Sequence, residues 1–379
     1  MDRDHGLSDD QREIVGLVRG WVGGVLRPAI EGYEEKGEFP RDLFRDLGEM
    51  GLGGIPWEER YGGGGQPFLT YLAVLEEVAT GSLSLAVGLS VHHLATFGIH
   101  EYGSDALKET YLPRLCSAEW LGAYALSEAG SGSDAAALAT KAEREGEDWR
   151  LMGTKRFITH GGEAECYLVM ARTGGEGPRG ISAFVLEKGF EGFEFGKREE
   201  KMGWHASPMR ELLLDGAKVP GGNLVGEEGQ GFTIALAALD SGRLGMAACS
   251  VGLSQAALDA AVTFAKDREQ FGRPVIEFQG LQFMLADMAT QIEAARSLYR
   301  EAAKARDEGA GTPVSCSMAK LFASDVAMRV TTDAVQAHGG YGYMREYPVE
   351  RYMREAKGLQ IVEGTNQVQR VIIGRDLAG

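Results

Sequence analysis

One carboxylate near the carboxyl end of the chain, Glu363, has surroundings suited to proton transfer. An apolar strip of Leu359, Ile361 and Val362 precedes it, and Gly364 follows it directly. A carboxylate between an apolar approach and a flexible glycine can enter a closed pocket, where its pKa rises from about 4 toward neutrality. Such a group suits the role of a base that removes a weakly acidic C–H proton.

A second interpretation assigns Glu363 to helix capping. Thr365 and Asn366 are N-cap residue types, and Val368 and Ile372 lie on the apolar face of the helix that would follow. An acid beside the positive end of that helix would have its pKa lowered instead of raised. The strip alone favours capping, because acids are common at helix starts. The rest of the chain has to decide between the two.

The composition is that of a globular protein whose partners are not nucleic acids. The 379 residues suffice for two or three domains, and the hydrophobic (44%) and charged (25%) shares are ordinary. A formal net charge of −16 argues against nucleic acid, since phosphates need clustered Lys and Arg. The 54 glycines are about twice the usual share, which indicates tight turns and close backbone approach.

The cysteines and the chain start indicate a cytoplasmic protein. Cys116, Cys166, Cys249 and Cys316 are far apart and lack metal-ligand spacing, which predicts free thiols and no metal site. Residues 1–4 begin no apolar signal segment or transit peptide. No eighteen apolar residues run uninterrupted, so we expect no membrane span.

The hydrophobic period divides the chain into three predicted domains. Residues 1–120 predict an N-terminal α-helical domain, with a nearly all-apolar central helix over 82–99. Residues 121–230 predict a middle β domain, because strand-like runs such as 167–171 and 181–186 alternate with Gly, Pro and charged clusters.

Residues 231–379 return to the helical period and predict a C-terminal four-helix bundle. One helix is expected from Met246 to Lys266, a second along an apolar stripe from Leu281 to Ala302, and a third from Thr312-Pro313 to Gly339-Gly340. A short final helix completes the set. The fold class predicted is mainly α with a central, β-barrel-like domain.

Four further stretches could bind a ligand. Tyr124–Asp134 alternates small residues with hydroxyls, and Gly153–Thr159 places an aromatic ring two residues before a hydroxyl. Side chains of Arg268–Pro274 could form an ion pair with a pyrophosphate and stack on a base. Gln336–Gly342 contains a glycine turn where the backbone can approach a ligand closely. Each stretch alone also fits a surface turn, a charged helix terminus or a capping histidine.

Together, in this order, these stretches resemble the acyl-CoA dehydrogenase flavoprotein family. The similarity covers nearly the whole chain and includes Lys201-Met202-Gly203-Trp204 and Glu363–Gln367 at the expected spacing. The resemblance implies FAD as cofactor, an acyl-CoA substrate, an electron-transfer flavoprotein as electron acceptor, and a homotetramer built as a dimer of dimers. Each flavin would then be touched by a neighbouring subunit.

The resemblance also implies roles for individual residues. The flavin ring would be held by Tyr124, Leu126, Ser127, Gly132, Ser133, Phe157, Ile158 and Thr159. The pyrophosphate and adenosine would be reached across the dimer by Arg268, Phe271, Gln279, Gln336, Gly339 and Gly340, while Thr365 and Gln367 would touch the flavin. The acyl-CoA path would be lined by Ser133, Asp240, Arg243 and Gly364.

By this resemblance Glu363 is the catalytic base that removes the α-proton while the β-hydride passes to the flavin. Some members carry the base at the position of Gly242, and glycine cannot serve. The pairing of Gly242 with Arg243 leans toward the short-chain and branched-chain subgroups. The departures from the family pattern are Ala129, Phe157, His160 and Val362, and the last two put substrate shape in doubt.

Two other functions stay open from the sequence. One is a relative that hands electrons to oxygen, or acts on an acyl group bound to a carrier protein. The other is a flavin-binding scaffold protein with little turnover, against which an intact Glu363 argues.

Overall fold

Helices occupy the first third of the chain in the computed structural model, which describes residues 3–379. Ser8 caps the first of them in a capping box with Gln11. A π-helical segment, Val22–Leu26, joins the first helix to the second. The helices are α1 (Asp9–Trp21), α2 (Arg27–Lys36), α3 (Arg41–Glu49), α4 (Phe68–Gly81), α5 (Leu83–Tyr102) and α6 (Asp105–Cys116).

The centre of this part is the pair α4 and α5. Ser82 separates the two helices and caps α5, its Oγ accepting the Leu85 N–H at 3.2 Å. Almost every residue of both helices is buried, because apolar side chains occur all round them. The central buried helix predicted over 82–99 is therefore confirmed.

An eight-stranded sheet follows. Its strand order is β6-β7-β3-β2-β4-β5-β8, and β1 pairs with β4 in parallel. The long partners β3 and β7 are antiparallel, with irregular register between Lys155 and Ile158. The strands are β1 (Gly122–Ala125), β2 (Lys141–Glu145), β3 (Asp148–Thr159), β4 (Cys166–Arg172), β5 (Ile181–Glu187), β6 (Phe193–Arg198), β7 (Met209–Val219) and β8 (Leu224–Val225).

Long helices return after the sheet. The 37-residue α7 packs against α4, α5, α8 and α9, and α9 also contacts the last two helices. The elements are α7 (Gly231–Asp267), the hairpin strands β9 (Glu269–Gln270) and β10 (Arg273–Pro274), α8 (Gln279–Asp307), α9 (Pro313–His338), α10 (Val349–Leu359) and α11 (Asn366–Ala378).

Helix α7 begins fifteen residues before the predicted start at Met246. The prediction missed the first part of α7 because Gly242 and Gly245 disfavour an isolated helix. In the fold these glycines allow close packing: a Cβ on Gly245 would lie 2.6 Å from Ser90 Oγ of α5. Tertiary packing therefore outweighs local propensity here.

The fold class is confirmed as helical, then sheet, then helical. The domain limits expected after residues 120 and 230 fall in the links between α6 and β1 and between β8 and α7, and they stay a prediction. By length and composition α5 and α7 could cross a membrane, but 94% and 78% of their apolar windows are buried inside the protein, as in core helices. All four cysteines are buried free thiols.

Candidate active site

The turn between α10 and α11 positions Glu363. Helix α10 ends at Leu359, α11 begins at Asn366, and Thr365 caps α11 by accepting the Val368 N–H at 3.3 Å. Glu363 lies outside the first turn of α11, and its backbone is left-handed, with φ of 55°. The carboxylate is therefore free to point away from the helix terminus.

The Glu363 carboxylate points at α7. Its Oε2 is shielded from solvent and has no hydrogen-bond partner within residues 3–379. A Cβ on Gly242 would lie 2.6 Å from this oxygen, so only glycine leaves room for it. Burial raises the pKa of Glu363 to about 7, although the positive charges of Arg243 and Lys320 oppose the rise. This geometry favours the pocket interpretation over helix capping.

Polar groups from α4, α5 and α7 surround the same pocket. The hydroxyls of Tyr71 and Ser90 are buried without a partner among the described residues. Burial raises the pKa of Tyr71 and of Cys249, and the charge of Glu363 raises both further. The sequence did not reveal these residues, because they lie in helices that read as apolar throughout. Buried polar groups without partners indicate a site that a ligand completes.

Asp240 and Arg243 lie on α7, on either side of Gly242, and form an ion pair. The Arg243 side chain is buried, and its Nε has no partner in the part of the chain described. Burial raises the pKa of Asp240 even though the Arg243 charge lowers it. The pair therefore supplies charged groups beside the base, where the substrate path was predicted.

The segments predicted to hold the flavin ring meet at one side of the sheet. The Arg156 N–H donates to the Ser127 carbonyl at 2.8 Å and ties the loop after β1 to the end of β3. Phe157 lies in the irregular part of β3 with a left-handed backbone (φ 60°), and its side chain is 54% exposed. The Leu126 and Ile158 side chains are buried in the core, and their carbonyls accept Lys155 Nζ and the Gly161 N–H, each at 3.1 Å.

The remaining residues of this set lie near the same pocket. Tyr124 donates its hydroxyl to the Ala235 carbonyl at 3.2 Å, and its pKa is raised by burial and by Glu363. Gly132 and Ser133 are exposed in the loop after β1, and Thr159 is half-buried at the end of β3. At the other side, Gly364 (φ 86°) follows the base, Thr365 caps α11 and Gln367 is exposed on it.

A second group gathers at the far end of α7. Phe271 forms the tip of the β9–β10 hairpin with a left-handed backbone (φ 54°) and is 93% exposed. The Arg268 guanidinium lies 5.2 Å from the ring centre of Tyr341. Arg268 and Tyr341 line a cavity of about 620 Å³ together with His338. Also exposed at this end of α8 and α9 are Gln279, Gln336, Gly339 and Gly340.

The two groups lie far apart along α7. Gly242 packs against Glu363, whereas Arg268 follows the end of α7, 26 residues later along the chain. At 1.5 Å per residue the helix separates them by roughly 39 Å. The Arg268 group is therefore remote from the base within one chain.

Three family models match the chain in order. They are the N-terminal domain of acyl-CoA dehydrogenase over residues 8–119, the middle domain over residues 123–217 and the C-terminal domain over residues 229–378. The chain belongs to the acyl-CoA dehydrogenase family. It is therefore an enzyme of a flavoprotein oxidoreductase family, as predicted.

Known members of the acyl-CoA dehydrogenase family resemble the chain over its full length. Mitochondrial isobutyryl-CoA dehydrogenase of Dictyostelium discoideum is 43% identical over 98% of this chain and 90% of its own length. The structure of butyryl-CoA dehydrogenase from Megasphaera elsdenii is 44% identical, with a TM-score of 0.97 over 99% of this chain and 100% of that one. A chain solved in work on the electron transferring flavoprotein of Acidaminococcus fermentans is 46% identical, with a TM-score of 0.97 over 99% of both chains.

FAD is the cofactor of the acyl-CoA dehydrogenase family, and the residues present fit it. The exposed Phe157 ring offers a flat apolar surface, and the neighbouring loop offers backbone groups. The unpartnered polar atoms around Glu363 lie where a ligand would meet them.

His160, one of the departures from the family pattern, is a buried structural residue. Its Nδ1–H donates to the Gly122 carbonyl at 3.1 Å, and its ring packs edge-on against Phe39 and Phe44. Burial lowers its pKa to about 4, so it is neutral at physiological pH. The replacement therefore acts on packing between β3, β1 and α3.

Proposed function

We propose that this acyl-CoA dehydrogenase family member oxidises a short or branched acyl-CoA to its trans-2-enoyl-CoA, with Glu363 as the base. The observation that carries the proposal is the shielded, unpartnered Glu363 Oε2 beside Gly242. A carboxylate whose pKa is about 7 is a strong enough base for a C–H proton and is still ionised in part at neutral pH.

Two groups of Glu363 act in proton removal, its carboxylate and its backbone N–H. Glu363 Oε2 accepts the α-proton of the thioester, and the closed pocket excludes water that would compete for it. Negative charge then develops on the thioester oxygen, and the Glu363 backbone N–H, which has no acceptor in residues 3–379, is available to stabilise it. FAD, when bound, supplies the acceptor for the β-hydride.

We propose that Ser133, Asp240, Arg243 and Gly364 line the path of the thioester. The glycines of α7 bring the neighbouring helices close: a Cβ on Gly242 would also lie 2.9 Å from Leu94 Cδ2 of α5. Little space for a long chain is left between α5 and α7 at this point. A short acyl group fits the small separation between α5 and α7. Such a substrate agrees with the isobutyryl-CoA and butyryl-CoA in the names of two relatives.

The FAD site that we propose is shared between two copies of the chain. One copy would hold the flavin ring with Tyr124, Leu126, Ser127, Gly132, Ser133, Phe157, Ile158, Thr159, Thr365 and Gln367. The other would contact the pyrophosphate and adenosine with Arg268, Phe271, Gln279, Gln336, Gly339 and Gly340. The length of α7 between the two groups supports this division, and we propose a homotetramer made of two such dimers.

For the electron acceptor we propose an electron-transfer flavoprotein in the cytoplasm. The 46% identical chain solved in work on such a flavoprotein supports this choice.

Anaerobic mixing of the FAD-loaded protein with a panel of acyl-CoAs tests the proposal. We expect the flavin absorbance to bleach with butyryl-CoA or isobutyryl-CoA, and to bleach less with longer chains. Bleaching that requires a carrier-protein thioester, or rapid recolouring in air, would point to the carrier-linked or oxidase alternatives. No bleaching by any thioester would leave a flavin-binding scaffold.

A further inference from the structure

A lysine is buried inside the helical bundle next to the base. Lys320 lies on α9 and its side chain has no solvent exposure. Buried lysines are rare because removing an ammonium group from water is costly. Burial lowers the pKa of Lys320 to about 7, while the negative charges of Glu363 and Asp325 oppose that fall. Such a group is retained only where its contacts serve the fold or the reaction.

The contacts of Lys320 converge on the turn that carries Glu363. Its Nζ donates to the Gly364 carbonyl at 2.9 Å and to Asn366 Oδ1 at 2.8 Å. Asn366 in turn donates through Nδ2 to Ser324 Oγ at 2.9 Å and to Asp325 Oδ1 at 2.8 Å. The start of α11 is therefore attached to α9 by a continuous set of buried polar contacts.

The turn needs this support because its backbone is strained. Glu363 has a left-handed backbone, which is unfavourable for a residue other than glycine. Gln369 on α11 helps Lys320 by donating its Nε2 to the Gly364 carbonyl at 2.8 Å and to the Glu363 carbonyl at 3.2 Å. The carbonyl groups of Glu363 and Gly364 therefore both accept hydrogen bonds from buried side chains.

We propose that Lys320 is a positioning residue for the base: its ammonium group fixes the Glu363–Gly364 turn and favours the ionised form of the Glu363 carboxylate. It acts through Glu363 and need not touch substrate. The inference rests on the proposed function of Glu363. It goes beyond that proposal, because it concerns how a buried carboxylate stays both ionised and aimed at α7.

The charge effect of Lys320 has to be separated from those of its neighbours. The ionisable groups that act on Glu363 are Arg243 from α7 and Lys320 from α9. Glu363 in turn acts on Cys249 of α7, Tyr71 of α4 and Tyr124 of β1. Those that act on Lys320 are Glu363, Asp325 and Arg243. Arg243 and Lys320 are the two cations that favour the ionised carboxylate. Removing Lys320 leaves only Arg243 in that role.

Two substitutions separate position from charge. Lys320→Met keeps the length of the side chain and removes both donor and charge, whereas Lys320→Gln keeps an N–H donor and removes the charge. We expect Lys320→Met to lower kcat about 100-fold with a much smaller change in KM, since misplacement of a catalytic group by about 1 Å has such an effect. We expect Lys320→Gln to recover part of kcat at high pH.

The titration of Glu363 is the second measurement, and it needs no turnover. In protein labelled with ¹³C at the glutamate carboxyl, the signal lost in Glu363→Gln identifies the base. We expect both Lys320 variants to raise the midpoint of that signal by about one pH unit, and the acidic limb of the kcat/KM profile to move equally. Thr331→Val on the same helix, whose hydroxyl bonds the Ala327 carbonyl at 2.7 Å, should change neither.

Two results would overturn the inference. One is a folded Lys320→Met protein with normal kcat and an unchanged Glu363 midpoint. The other is a loss of kcat with an unchanged midpoint in both variants, which would make Lys320 a structural support only. If no thioester reduces the flavin of the wild-type protein, the proposed function fails. The ¹³C midpoint still tests the contact between Lys320 and the Glu363 turn in that case.

Discussion

At the scale of single residues, the site depends on one carboxylate and the glycine beside it. Oε2 of Glu363 is shielded from water and has no hydrogen-bond partner among residues 3–379, and burial dominates the pKa of the carboxyl. Gly242 contributes by having no side chain, because a Cβ there would occupy the place of the carboxylate oxygen. A base and the space for it are therefore encoded 121 positions apart in the sequence.

Glu363→Gln is expected to retain FAD and fold yet to lose nearly all flavin reduction by acyl-CoA. In the wild-type protein the reduction rate should rise with pH through about 7, as the carboxylate loses its proton. Stopped-flow absorbance under anaerobic conditions, from pH 6 to pH 9, measures both. A variant that reduces its flavin at the wild-type rate would place the base elsewhere.

The same substitution should stabilise the protein at alkaline pH. The folded pKa of Glu363, about 7, lies above the unfolded value near 4.5, so the folded state binds the extra proton and loses stability as pH rises between these values. Above that window the carboxylate costs at most about 3 kcal/mol. Thermal unfolding of the cofactor-free protein should show a higher Tm for Glu363→Gln at pH 8 and an equal Tm at pH 4.5.

Gly242→Ala should separate activity from stability. If nothing moved, the new Cβ would lie 2.6 Å from Glu363 Oε2, so it would displace this oxygen. We expect flavin reduction to fall about 100-fold as a result. Alanine is also the better helix former, so Tm should change little. Gly16→Ala on α1, where a Cβ meets nothing within 4 Å, is the matched control and should keep full activity.

At the scale of elements, the helices that carry the site are joined by buried ionic contacts. Glu76 of α4 accepts Arg296 Nε of α8 at 2.8 Å, and the Tyr299 hydroxyl and Arg300 also bond this carboxylate. Arg296 in turn donates to Gln255 of α7 at 3.0 Å. This network fixes α4, α7 and α8 relative to one another, and α4 and α7 carry Tyr71 and Gly242.

Arg296→Met should destabilise the whole protein. It leaves Glu76 without its main cation in a site where both side chains are almost fully buried, and breaking such a pair costs about 3–5 kcal/mol. We expect the Tm to fall by roughly 5 °C or more in a thermal unfolding scan. Lys304→Met on the same helix breaks only the exposed pair with Glu301 and should leave the Tm within about 2 °C.

The elements themselves were largely predictable from the sequence. Caps such as Ser8 and Thr312 and the apolar run over 82–99 use local rules, and the structure agrees with them. The first half of α7 was not predictable, because its glycines are explained only by the helices that pack on them. Lys320 was missed for a related reason: a lysine in a helix is normally exposed, and only the fold shows this one inside.

At the scale of the whole molecule, one chain carries two separate groups of residues for which cofactor contacts are proposed. The base and the ring-binding segments lie at one end of α7, and the Arg268 group lies at the other. The second group includes Phe271, an almost fully exposed aromatic ring on a strained backbone, and nearby Tyr343 and Phe283 are also well exposed. Exposed apolar side chains of this kind are common at protein interfaces, which supports the proposed contact between two copies.

Phe271→Asp is therefore expected to weaken both assembly and FAD retention while leaving the fold of the chain intact. A charge at a position that is 93% exposed in the single chain does not disturb its core, but it would be buried without a partner between two copies. Light scattering after size-exclusion chromatography should show smaller particles, and the flavin-to-protein ratio should fall by half or more. Leu17→Asp, at a 69% exposed position on α1, is the matched control and should leave both values unchanged. A Phe271→Asp protein that stays fully assembled and fully loaded with FAD would show that the far end of α7 does not contact a second subunit's cofactor.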